Sequence, residues 1–192
     1  MATRETQFNA EIGLFPFLKI TATDVGALFK NRRRQGSSQP GPVMIVSVSS
    51  GLALDTAFHS SDGSHPHLWP PHGQPHQLWR LIASGHEGEV RIVSLSNGLF
   101  LDGRDGGDGS HTQMRGEEKN AAWQRWSLTA APGNRSHYLV NAGTGRVLDS
   151  PHEAERGTWP VMWTKHDGEN QRWLLTMPLA APPDYSAPPH TF

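Results

Sequence analysis

The 192 residues suffice for one domain of ordinary size with tails, and 18% charged residues at a net charge of -1 give no large field of either sign, which argues against nucleic acid or an anionic membrane as the main partner. Zero cysteines exclude disulfides and thiolate-bound metal. An apolar fraction of 35%, with 20 Gly and 15 Pro, points to an all-β chain of short strands joined by turns.

The first 42 residues stand apart. Met1 to Glu11 is polar and carries Arg4, Glu5 and Glu11 where a secretion signal needs an apolar run. No apolar stretch in the chain approaches the roughly 20 residues of a membrane helix. A soluble protein of the cytoplasm is therefore expected, released, if at all, by a non-classical route. Ile12, Leu14, Phe15, Phe17, Leu18 and Ile20 form a patch expected to pack on the main body. Thr23-Asp24 can cap a short helix that ends at Arg32-Arg33-Arg34, where basic residues suit the helix dipole. Gly36 to Pro42 reads as a linker.

From residue 43 the chain superposes on itself at a shift of 47 residues without gaps, giving repeats 43–89, 90–136 and 137–179. Ser50-Gly51-Leu52-Ala53-Leu54-Asp55, Asn97-Gly98-Leu99-Phe100-Leu101-Asp102 and Thr144-Gly145-Arg146-Val147-Leu148-Asp149 coincide, as do Gln77-Leu78-Trp79, Gln124-Arg125-Trp126 and Gln171-Arg172-Trp173. In every copy the Asp precedes the Trp by 24 residues. Each repeat opens with strand, turn, strand. Asn97-Gly98 is a hairpin signal because both residues tolerate positive φ. Trp79, Trp126 and Trp173, present in all copies, are expected in the shared core, with the three Gln satisfying buried backbone groups. The Pro-rich segment 180–192 is expected to be a mobile tail.

These motifs resemble the ricin-B-type lectin family of β-trefoil carbohydrate-binding modules, over roughly residues 43 to 177. The resemblance implies a pseudo-threefold fold of twelve strands, six in a short closed barrel and six in hairpins that cap one end. It also implies noncatalytic binding of carbohydrate, galactose-configured or related, at an Asp ending the second strand, an aromatic residue about 14 positions later and an Asn before Gln-x-Trp. A pyranose offers an apolar face to the aromatic ring and hydroxyls to the carboxylate and amides.

The third repeat matches throughout, with Asp149, Trp163, Asn170 and Gln171. The first has Asp55, Trp69 and Gln77, with His76 in place of the Asn. The second keeps Asp102, but the gap-free shift puts Gly116 at the aromatic position and Trp123 at the Asn position, so this lobe is expected to be silent. The position two before the aromatic, often Gln in the family, is Val161 in the third repeat and His67 in the first.

His59, His65, His67, His72 and His76 crowd the first repeat. Their spacing fits no zinc pattern and the intervening prolines prevent an aligning helix, so no metal is assigned. Residues 102–109 lack the terminal Glu and flanking helices of a calcium-binding hand. Neither a nucleophile elbow nor a phosphate loop is present, and no cofactor is implied. The rival reading is a trefoil that binds protein, inhibitor-like or as an adaptor, without a sugar ligand.

Overall fold

A computed structural model describes residues 17–19, 41–104, 107–132 and 135–178. The expected helix at 23–34, most of the apolar N-terminal patch and the tail 180–192 lie outside these residues. The described part is all β, with three single-turn 3-10 segments. In chain order the strands are β1 (Phe17–Lys19), β2 (Met44–Ser47), β3 (Ala53–Asp55), β4 (His67–Trp69), β5 (Trp79–Ala83), β6 (Glu89–Ser94) and β7 (Phe100–Asp102). They continue as β8 (Ser110–His111), β9 (Gln113–Arg115), β10 (Trp126–Ala130), β11 (Ser136–Asn141), β12 (Val147–Asp149), β13 (Val161–Trp163) and β14 (Trp173–Pro178).

Six longer strands pair antiparallel in the order β2-β14-β11-β10-β6-β5. The pairs β3-β4, β7-β9 and β12-β13 form three hairpins, and β8 adds a short ladder to β13. Closure of the six strands differs from expectation: β5 and β2 share no ladder, only an isolated bridge between Val43 and Trp79. Its two bonds are 2.8 and 2.9 Å long. The equivalent seams each pair one residue more, Glu89 with Ser127 and Ser136 with Leu174. Pro42 occupies that position in the first lobe, where pairing stops after one residue pair. Residues 17–19 pair with 176–178 along the edge of β14 that β11 has left.

The core is built from what the lobes share. Trp79, Trp126 and Trp173 are fully buried, and each indole N–H donates to the carbonyl of a Leu that precedes a repeat Asp: Leu54 at 3.1 Å, Leu101 at 3.0 Å and Leu148 at 2.9 Å. Each ring removes about 200 Å² from water, a contribution on the order of 5 kcal/mol. Around them pack Ile45, Leu54, Leu68, Leu81, Ile92, Leu101, Met114, Leu139, Leu148, Met162 and Leu175. Gly51, Gly98 and Gly145 take φ near +70° and end the first turn of each lobe. Asn97, by contrast, is absent from the positive-φ residues. Its side chain instead caps the turn, accepting from the Leu99 amide at 3.0 Å, so this hairpin is a longer loop and not the two-residue turn that Asn-Gly suggests.

The cap is joined lobe to lobe in a ring. Gly63 donates to the Met114 carbonyl, Gly109 to Met162 and Gly157 to Leu68, at 2.7 to 2.9 Å. This makes Leu68, Met114 and Met162 structural equivalents, and strand register agrees: Leu54 faces Leu68, Leu101 faces Met114 and Leu148 faces Met162. A constant shift of 47 fails here. The second lobe is one residue shorter between Asp102 and Gly109 than the others between Asp and Gly. It regains the residue before Gln124: the Gln carbonyl oxygen accepts from an amide five residues back in lobes one and three, but six back, at Glu118, in lobe two. The residue equivalent to Trp69 and Trp163 is therefore Arg115, not Gly116.

Candidate functional site

In each lobe the hairpin places the repeat Asp and the residue at the Trp163 position on one face. Asp149 lies opposite Val161, and Trp163 is two residues further on the same strand. Asp55 faces His67 with Trp69 two residues on, and Asp102 faces Gln113 with Arg115 two residues on. The 3-10 turn before each Gln-x-Trp supplies the other wall, carrying Asn170 and Gln171, His76 and Gln77, or Trp123 and Gln124.

The third lobe brings all four of its sequence-assigned residues together. Asn170 Nδ2 donates to Asp149 Oδ1 at 2.9 Å and Gln171 Nε2 to Asp149 Oδ2 at 2.9 Å. Gln171 also donates to the Thr164 carbonyl and accepts from the His166 amide, so its orientation is fixed twice over. The carboxylate is thus buried but hydrogen-bonded, while Trp163 keeps 41% of its surface exposed. Gly109 from the second lobe backs this ring; a Cβ there would sit 3.5 Å from Trp163 Cζ3. His166 completes the site, with Nε2 at 3.5 Å from Asp149 Oδ2. Sequence reasoning missed His166, although His72 stands two repeat lengths before it.

The second lobe is filled by its own chain. Arg104 donates through its backbone N–H and Nε to Asp102 Oδ1, and through Nη2 to Asp102 Oδ2 at 2.7 Å. The same guanidinium bonds Glu118 and lies 5.4 Å from the Trp123 ring centre. Glu118 occupies the place of His72 and His166. The bond to Asp102 raises the Arg104 pKa, and Arg104 in turn lowers that of Glu118. Gly116 donates to Asp62 Oδ1 at 2.7 Å, and Arg115 Nη1 reaches Asp62 Oδ2 at 3.2 Å, so neither offers a stacking platform.

The first lobe keeps the frame and changes its contents. Gln77 holds the Pro70 carbonyl and the His72 amide, as its counterparts do, and the Gly73 amide besides, but makes no bond to Asp55. Asp55 Oδ1 accepts from the Ala57 amide at 2.7 Å. Three imidazoles replace the amides: His67 Nε2 lies 3.6 Å from Oδ1, and His72 and His76 Nε2 lie 3.4 and 3.7 Å from Oδ2. Burial lowers the pKa of both His67 and His72.

Trp69 carries the Arg156 guanidinium 5.0 Å from its ring centre. Asp62 and Asp108 occupy the place of Arg156 in the other hairpins and accept the backbone N–H of Gly116 and Thr164. The corresponding residue in the first lobe is Pro70, which has no N–H, and an arginine stands there in place of the acceptor.

Fold and site define a β-trefoil of the lectin class, and the match to known proteins agrees. Residues 41–173 match the model of the ricin-type beta-trefoil lectin domain, and the chain belongs to that family. It is similar to the designed threefold-symmetric protein ThreeFoil, with 26% identity and a TM-score of 0.65 over 71% of this chain and 98% of that one. The C-half of an earthworm R-type lectin in complex with GalNAc shares the fold at 21% identity and a TM-score of 0.57, over 71% of this chain and 98% of that one. The ricin B-like lectin of Macrolepiota procera, in complex with lactose, does so at 19% identity and a TM-score of 0.62, over 76% and 100%. Among curated protein sequences none matches the chain.

Proposed function

We propose that this protein is a noncatalytic lectin whose principal site is the third lobe, formed by Asp149, Trp163, Asn170 and Gln171. The carrying observation is a buried carboxylate clamped on both oxygens by amides, beside an exposed indole on the same hairpin face. Asn170 keeps its Oδ1 and one amide N–H to meet sugar hydroxyls beside the carboxylate, Gln171 fixes the carboxylate, and Trp163 stacks on the apolar sugar face. Galactose-configured sugars are the assigned class. The neighbours crystallised with GalNAc and lactose support this choice, as does an acceptor set on one side of a stacking ring.

Asp55, Trp69, His76 and Gln77 form a second, altered site, whose imidazole can replace one amide hydrogen bond. Single shallow sites bind weakly, so useful affinity comes from engaging two sites or two chains on one glycan. The test is a glycan array followed by titration with lactose and GalNAc. Binding is expected for the intact chain and is lost in Trp163→Ala. A folded protein that binds nothing on the array overturns the lectin reading in favour of a protein-binding trefoil.

A further inference from the structure

We propose that the first lobe holds one divalent transition-metal ion of the zinc class, bound by Asp55 Oδ2, His72 Nε2 and His76 Nε2. One ligand atom from each of these three residues lies within 4.8 Å of the others. Zinc bonds imidazole nitrogen and carboxylate oxygen at about 2.0–2.2 Å, which makes the edge of its tetrahedron about 3.4 Å. The two measured edges from Asp55 Oδ2 are 3.4 and 3.7 Å. They are long for hydrogen bonds and right for atoms that share an ion.

The comparison between lobes supplies the second observation. Asp149 Oδ2 receives an amide N–H at 2.9 Å. No amide reaches Asp55 Oδ2, although Asp55 is 99% removed from solvent; its nearest partners are the His72 and His76 imidazoles at 3.4 and 3.7 Å. A carboxylate oxygen in that setting needs a cation or a donor. His72 Nδ1 accepts a long bond of 3.2 Å from the Gln74 amide, so loading moves the ring proton to Nδ1 and hands that exposed amide to water. The Ala57 amide, donating to the other carboxylate oxygen at 2.7 Å, holds Asp55 in place.

Two imidazoles and one carboxylate suit zinc, nickel or copper over calcium, and three ligands leave a fourth position for water. The spacing of the histidines along the chain conceals this set because its anchor is Asp55, on a strand 17 residues before His72. The ion takes the oxygen a sugar hydroxyl would use, so a metal-loaded first lobe binds no sugar, while the third lobe is unaffected.

The test is calorimetric titration of the EDTA-stripped full chain with zinc chloride, with cobalt(II) absorption as a second readout. One equivalent of zinc is expected, together with the visible bands of four-coordinate cobalt. His76→Asn, which installs the residue the third lobe carries, is expected to weaken zinc binding at least about 100-fold, since loss of outer partners alone costs 10–100-fold. Asp55→Asn is expected to act alike, and His111→Ala, outside the cluster, to leave binding unchanged. If circular dichroism shows all chains folded and His76→Asn and Asp55→Asn take up zinc as the intact chain does, the proposal is overturned. Absence of one-to-one uptake by the intact chain overturns it equally, whatever the sugar titration shows.

Discussion

The first and third lobes present the same pair of groups, a strand-end carboxylate and a tryptophan on the same hairpin face, and differ in what surrounds each. Around Asp149 two amides donate at 2.9 Å and one imidazole, His166, stands at 3.5 Å; around Asp55 three imidazole nitrogens stand off at 3.4 to 3.7 Å and no side-chain amide donates. Trp163 is open on its outer side, whereas Trp69 carries Arg156. A shared backbone therefore surrounds the same carboxylate with different donors, His76 standing where the third lobe has Asn170 and His67 where it has Val161. The second lobe shows the third outcome, in which the chain's own arginine satisfies the carboxylate.

The comparison breaks first at Trp163. Trp163→Ala removes the apolar platform while leaving the buried carboxylate clamp intact, and is expected to reduce sugar affinity about 100-fold, close to 3 kcal/mol. Asp149→Asn should cost a similar factor, because the new amide cannot accept from Asn170 and Gln171 on both of its polar atoms. Asp102→Asn, in the lobe that Arg104 fills, should leave affinity unchanged. Isothermal titration with lactose checks all three, and an equal loss in Asp102→Asn would show that the lobes have been assigned in the wrong order.

Much of this was legible in the sequence, and for a physical reason. No lobe can bury its apolar face alone, so Trp79, Trp126 and Trp173 recur in all three, and each donates to a Leu carbonyl 25 residues earlier. The register of the second lobe was hidden because one residue lost before Gly109 is regained before Gln124. The repeat length stays at 47 while the middle slips by one, and only strand pairing reveals Arg115 as the counterpart of Trp163. Arg104, His166 and Arg156 escaped notice because each acts across a loop, not through a repeated motif.

His76→Asn sharpens the contrast from the other side. With the imidazole replaced by the residue of the third lobe, Asp55 regains a close amide donor. The first lobe should then bind sugar about 10-fold more tightly, near 1.4 kcal/mol. Native mass spectrometry with excess lactose is expected to show a second bound sugar gaining occupancy. A variant whose second-site occupancy does not rise would mean that Arg156 over Trp69, and not His76, limits that lobe, and Arg156→Ala then becomes the variant that opens it.

A smaller asymmetry lies in the barrel. His137 pairs with Trp173 at the seam where Val43 meets Trp79 and Val90 meets Trp126, so an imidazole stands in a ring that is otherwise valine. It is fully buried, and neither ring nitrogen has a hydrogen-bond partner among the described residues. Burial lowers its pKa below the ordinary 6.5. The unfolded chain therefore binds the proton more readily than the folded one, and stability falls as pH drops below about 6.5 toward the lowered folded value. His137→Val removes the unpaired nitrogens at the cost of some volume and is expected to stabilise by about 1 kcal/mol at pH 8. At pH 5.5 the gain must be larger, because only the parent chain then pays to keep this ring neutral. Urea unfolding at the two pH values decides the point: a gain that is equal at both would show that His137 binds its proton as readily in the folded chain as in the unfolded one.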